Sequence, residues 1–284
     1  MLLASLLFAV MNVMVKQISH IPSVEVVFFR SIVSIVLSYG YLKRANISVW
    51  GTNHKILLLR GFSGAVALSL FFTTLQVMPL ASAITIHYLS PIFTAIIGLY
   101  FVKEPVRRWQ WVFFAVAFAG ILIVQGFDSR VSFMYTGFGI VAAFLSGLAY
   151  NCIRKLKTSE HPLVIIFYFP LVTIPLSGIY LMFDWVTPEG FDWMWLLLIG
   201  LSTQFAQYYM TKSYQSEDLS KVASLNYLGI IYALGFGYVF FDESFEMMSY
   251  IGMAVVLIGV VLNVWYKNKI TKEATTLGSF KNSR

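Results

Sequence analysis

The chain has 284 residues, of which 58% are hydrophobic, 17% aromatic and only 12% charged, whereas a soluble domain carries about 25% charged residues. Apolar runs of roughly 17–23 residues recur along the whole length, each long enough to cross a hydrocarbon core of about 30 Å, and this excludes a soluble globular fold. The formal charge of +7 does not point to nucleic acid, because the basic residues sit in short clusters between the runs, where membrane orientation requires them.

Long unbroken runs, rather than alternating segments of about ten residues, also argue against a β-barrel. Ten helical spans are predicted, at roughly 1–17, 24–42, 56–77, 81–102, 109–126, 137–156, 162–183, 192–212, 220–241 and 249–266, so the fold class is an all-α polytopic membrane protein. The first span has no basic leader and no small-residue cleavage site, so it does not read as a signal peptide. It is short at its start, which predicts that the sequence begins inside the first helix. Connections are short and leave no room for a soluble domain. The stretch 267–284 reads as a basic, disordered tail.

Polar residues inside the spans are the candidates for contact with a solute, and each also has a purely structural reading as a link between helices. Asn12 in the first span and Asn151 in the sixth fit either role. Arg30 lies about 10 Å into the second span by helical rise, and leaving it in lipid costs about 2.5–3.5 kcal/mol. It should therefore face protein or water, where it attracts an anionic group or locks helices through carbonyls. Glu25, five residues earlier, is poorly spaced to pair with it. Arg60, at the start of the third span, reads as an interfacial anchor.

In the fourth span Ala83, His87, Pro91, Thr94 and Gly98 fall at helical spacing on one small, partly polar face. His87 can hydrogen-bond cargo and titrates near neutrality; Pro91 frees a mid-span carbonyl and kinks the helix. The equivalent face of the ninth span carries Asn226, and Tyr88 and Tyr227 stand beside these faces. The eighth span presents Gln204, Gln207 and Tyr208 along one side, neutral contacts suited to a polar or aromatic solute. Cys152 is the one cysteine, so no intrachain disulfide forms.

Counting Lys and Arg in alternate connections puts 17 of the 20 basic residues on one side, including Lys103, Arg107, Arg108, Arg154, Lys155 and the tail. Asp128, Asp184, Glu189, Asp192, Asp242, Glu243 and Glu246 fall on the other. The positive-inside rule then makes both termini cytoplasmic; the expected location is the plasma membrane.

The chain also repeats itself. GLYFVKEPVRRW at 98–109 recurs 139 residues later as GYVFFDESFEMM at 237–248, keeping Gly98, Phe101 and Glu104 as Gly237, Phe240 and Glu243. The same offset pairs Asn12 with Asn151, Lys16 with Lys155, Leu80 with Leu219, Tyr88 with Tyr227 and Gly120 with Gly259. Residues 1–126 and 137–266 thus form two five-span units. Five is odd, so the second unit enters the membrane inverted, and the change from basic to acidic between the paired loops follows from the orientation rule. Inverted repeats are a device for alternating access around a midplane site.

These stretches carry a resemblance. LLFAVMNVMVKQIS, VVFFRSIVS, the run RGFSGAVALSLFFTTLQVMPLASAITIHYLSPIFTAIIGLYFVKEP and, in the second half, LSKVASLNYLGIIYALGFGYVFFDE and IGMAVVLIGVVLNV resemble the EamA-type members of the drug/metabolite transporter superfamily. The resemblance spans nearly the whole chain. It implies ten helices in a five-plus-five inverted arrangement, a central cavity and small solutes as cargo, in either direction.

No carboxylate stands at the centre of any span, so proton coupling through a mid-membrane Glu has no carrier, while coupling through His87 stays open. There is no phosphate-binding loop for ATP, no cofactor motif and no metal-spaced His/Cys cluster. The expected function is secondary transport of a small metabolite; the expected partners are that solute and the lipid bilayer. The alternatives are an intramembrane lipid-modifying enzyme, which needs a polar catalytic cluster near one interface, and a membrane interaction protein that transports nothing.

Overall fold

The computed structural model describes residues 2–101, 103, 106–216 and 228–282. Within them every regular element is helical: α1 (Leu2–Gln17), α2 (Ser23–Arg44), α3 (His54–Val77), α4 (Leu80–His87), α5 (Ser90–Phe101), α6 (Arg108–Phe127), α7 (Phe133–Lys155), α8 (Pro162–Leu181), α9 (Asp192–Ser216), α10 (Leu228–Phe241) and α11 (Met247–Asn282). Seven stretches among the described residues are long and apolar enough to cross a membrane, with α4 and α5 counted as one span. Large apolar side chains face outward on many helices, among them Leu122, Val141, Ile179, Leu197, Ile231 and Val239. An exposed apolar surface spread over so many elements is what a hydrocarbon solvent selects.

Where the residues are described, span boundaries follow the apolar runs to within a few residues, with two departures; the expected start of the ninth span lies outside the described residues. The final helix does not stop near 266 but continues through the expected disordered tail to Asn282. The fourth span is not one helix. It is interrupted at Tyr88–Leu89, so the face read from Ala83 to Gly98 is divided between two helices. Pro91 is the cause: it has no N–H to give the carbonyl of His87, and its ring clashes with that carbonyl in a continuous helix. The chain closes the gap with tighter turns, Leu89 N–H to Ile86 O at 3.0 Å and Ile92 N–H to Leu89 O at 2.9 Å.

The most extensive helix pairing is α6 with α11, followed by α3 with α7, α2 with α8, and α1 with α9. Glycine lets α6 and α11 approach backbone to backbone. A Cβ on Gly120 would stand 2.7 Å from the nitrogen of Val256, and one on Gly259 would stand 2.7 Å from the nitrogen of Ala117. Lipid tails supply no hydrophobic force between helices, so such close packing, aided by a buried Gln110–Asn263 hydrogen bond of 2.9 Å, holds the pair together. A separate apolar cluster of Leu42, Leu57, Ile153, Leu156 and residues 163–168 knits the end where α2 and α7 finish and α3 and α8 begin.

Candidate functional site

Two arginines occupy the interior. Arg30 of α2 is 1% exposed and Arg60 of α3 is 3% exposed. Both guanidiniums lie on the ring of Phe169 in α8, their carbons 4.9 and 5.0 Å from its centroid. Arg60 donates from Nη2 to Oε1 of Gln207 in α9 at 3.3 Å. The Nε and Nη1 of each arginine have no hydrogen-bond partner among the described residues, and no ion pair among those residues includes either. Tyr150 of α7 lies within electrostatic reach of Arg60 and of Tyr88 at the α4–α5 interruption.

The arrangement is energetically incomplete. A cation–π contact contributes about 2 kcal/mol when desolvated, whereas an uncompensated buried ion costs several kcal/mol. One long hydrogen bond to Gln207 does not close that gap. The site is therefore a pair of cations whose counter-charge is missing from the described chain.

Arg60 was expected to anchor an interface and instead is buried. It sits seven residues into α3, where Gly61, Ser63 and Gly64 leave room for α8 to come close; a Cβ on Gly64 would meet Nη1 of Arg60 and the Phe169 ring at 3.1 Å. That run of small residues, RGFSG, was the available signal. Phe169, one phenylalanine among 25, carried none.

The other expected site residues divide clearly. His87 ends α4, half-buried, with its ring 4.3 Å from that of Phe71 and its Nδ1 without a partner among the described residues. The Tyr88 hydroxyl packs against Gly229 at the start of α10. Gln204 is committed elsewhere: it accepts from Ser34 Oγ at 2.5 Å and donates to Ser38 Oγ at 2.8 Å, which ties α9 to α2. Asn151 is likewise a link, donating to the carbonyls of Thr94 and Gly147 at 2.9 Å. Asn12 is buried on α1, and its Oδ1 has no partner among the described residues. Tyr208 lies edge-on to Tyr209 and packs on the second apolar cluster. Asn226 and Tyr227 lie outside the described residues.

A second polar centre was not foreseen. The carboxylate of Glu243, buried beyond the end of α10, accepts the N–H of Leu80, the first residue of α4, at 2.8 Å, where the helix dipole favours an anion. Lys16, at the end of α1, pairs with it at 2.7 Å and donates to the carbonyl of Met78 at 2.6 Å. The sequence places Glu243 as the repeat mate of Glu104 and among the acidic residues of one side, and names no partner for it.

The architecture is that of a multi-pass membrane protein with a polar interior. Residues 1–125 and 134–265 match the model of the EamA-like transporter family, and the chain belongs to that family. It is 31% identical over 263 residues to the pseudopaline exporter CntI of Pseudomonas aeruginosa, covering 91% of this chain and 92% of the relative. It is 29% identical to solute carrier family 35 member G1 of Mus musculus, over 85% of this chain and 70% of that one. To the S-adenosylmethionine uptake transporter of Rickettsia prowazekii it is 24% identical, over 94% and 92%. A solved crystal structure matches with a TM-score of 0.67 at 14% identity, covering 94% of this chain and 98% of its own, a likeness of fold. The protein is a membrane transporter of small molecules and not an enzyme.

Proposed function

We propose that the chain is a secondary transporter that carries a small polar metabolite across the plasma membrane by alternating access, with both termini cytoplasmic. Its moving parts are two inverted five-span halves, 1–126 and 137–266, and the cargo sits between them against Arg30, Arg60, Gln207, Tyr88 and His87. The observation that carries this reading is the packing scheme. Exchanging the halves maps the α3–α7 pair onto α9–α1, α5–α7 onto α10–α1, and α3–α8 onto α9–α2, and it leaves α6–α11 and α2–α8 unchanged. The offset glycines, Gly120 and Gly259, occupy equivalent places in the α6–α11 contact. Lys16 lies over the Phe241 ring at the end of α10, and its repeat mate Lys155 over Phe101 at the end of α5.

An inverted repeat can exchange the conformations of its halves and so open a central site to each side in turn. The names of the relatives, one an exporter and one an uptake transporter, support a small polar cargo and leave either direction compatible with the fold. Proteoliposomes holding the purified full chain and loaded with a polar extract of cells should release at least one compound, followed by mass spectrometry, that protein-free vesicles retain. Identical retention of every compound in both would sink the reading.

A further inference from the structure

We propose that Arg30 and Arg60 are the recognition centre for a carboxylate, so that the cargo is an organic anion held by their unpaired N–H groups; this rests on the transport reading above. Two guanidiniums reach the same ring from α2 and α3, each buried and each with unpaired N–H groups. Their geometry is a divided fork. A guanidinium presents paired, planar donors that match the two oxygens of a carboxylate, and two of them can engage one carboxylate together or two carboxylates of one molecule.

The neighbours set the rest of the specificity. Gln207, which already accepts from Arg60, sets an amide beside the pair for the uncharged part of the solute. No described carboxylate pairs with either arginine, so the surroundings hold nothing that would attract a cationic group. An amine-bearing cargo without an acid group would add a third positive charge to two uncompensated ones. The site therefore selects against polyamines and other cations as well as for acids.

The missing counter-charge also separates a binding role from a structural one. An arginine that holds helices together loses stability when neutralised. An arginine kept unpaired for a ligand does the opposite, because its removal relieves an uncompensated buried charge, as functional sites held against stability do.

The experiment uses the purified full chain in a neutral maltoside detergent, with thermal unfolding followed by tryptophan fluorescence. Succinate and glutamate should raise the unfolding midpoint, whereas succinamide and putrescine should not. Arg30→Gln and Arg60→Gln should each weaken the apparent affinity for succinate about tenfold or more, while the ligand-free midpoint stays at or above that of the wild type. Arg60→Lys, which keeps the charge but loses the fork, should fold as the wild type does and bind with intermediate affinity. No shift with either dicarboxylate, equal shifts in wild type and Gln variants, or a lowered ligand-free midpoint in the Gln variants would overturn the proposal. A shift with inorganic phosphate but not with carboxylates would overturn the carboxylate assignment. Flux distinguishes the two readings. If succinate binds through the arginines while no solute crosses proteoliposomes, transport falls and the anion site stands; if solutes cross at rates unchanged in both Gln variants, the anion site falls and transport stands.

Discussion

The ammonium of Lys16 lies 2.7 Å from Oε1 of Glu243, and the same carboxylate accepts the N–H of Leu80. One charge pair thus joins the end of α1, the first turn of α4 and the segment that follows α10. Both side chains are largely buried, 14% and 7% exposed, so screening by water is weak and the coupling between them is stronger than in an exposed pair. In a double-mutant cycle of Lys16→Met and Glu243→Gln, thermal unfolding should show a coupling of about 1–2 kcal/mol. Additive effects would mean that the pair is incidental. In a Cys152→Ala background, joining Lys16→Cys to Glu243→Cys with a short bifunctional methanethiosulfonate should stop transport, and reductant should restore it, if the proposed alternation parts the two halves there.

The proposed topology puts the basic and acidic members of the paired loops on opposite sides of the membrane. Arg107 and Glu246 are both exposed. Single cysteines at these two positions, again without Cys152, should react with an impermeant maleimide from opposite sides of the membrane, Arg107→Cys from the cytoplasm. Labelling of both from one side would end the inverted-repeat argument.

The α6–α11 contact predicts a contrast between glycines. Gly120→Ala and Gly259→Ala drive a methyl into backbone atoms at 2.7 Å, which cannot swing aside, and each should lower stability by about 1–3 kcal/mol. Gly126→Ala and Gly137→Ala meet nothing within 4 Å and should be neutral or slightly stabilising, since alanine favours helix. Unfolding midpoints of the four variants provide the comparison.

Glu160, in the connection between α7 and α8, predicts a pH dependence. Burial alone would raise its pKa, but hydrogen bonds from Thr52 Oγ1 and from the N–H groups of Asn53 and Thr52, at 2.6–2.8 Å, outweigh burial and hold it below the usual carboxylate range. A depressed folded-state pKa contributes stability that is present above the unfolded value and is lost as pH falls through the folded value. Glu160→Ala should therefore cost about 2 kcal/mol near neutrality. That difference should shrink as the pH falls below about 4.5, the ordinary range of a glutamate. Unfolding midpoints of both proteins across that window measure it.

Much of the fold was legible because a bilayer demands long apolar runs, and those runs cannot be confused with loops. The order of spans, the loop charges and the offset repeat are all local or one-dimensional signals. The site was less legible, because its partners come from far along the chain. Arg60 acquires its role from Phe169 and Gln207, on α8 and α9, and nothing near position 60 names them. Gln204 reads as a solute contact until Ser34 and Ser38, about 170 residues earlier, are seen to take both ends of its amide. Asn151, beside Tyr150, is similarly claimed by carbonyls of two helices. Arg30 was recognisable alone, since a charge deep in an apolar run needs a purpose wherever its neighbours lie.

A continuous helix resists bending because ladder bonds stretch on its convex side. At the middle of the fourth span no such ladder runs through: Pro91 has no N–H, Leu89 has turned back to Ile86, and Phe93 begins a new series from Leu89. A swivel about residues 88–90 costs torsion at a few bonds and leaves both ladders whole. The two rods both pack on α7 but make different hydrogen bonds, α4 through Leu80 to Glu243, and α5 through Thr94 to Asn151 on α7. The span is therefore two jointed rods rather than one, with Tyr88 at the joint.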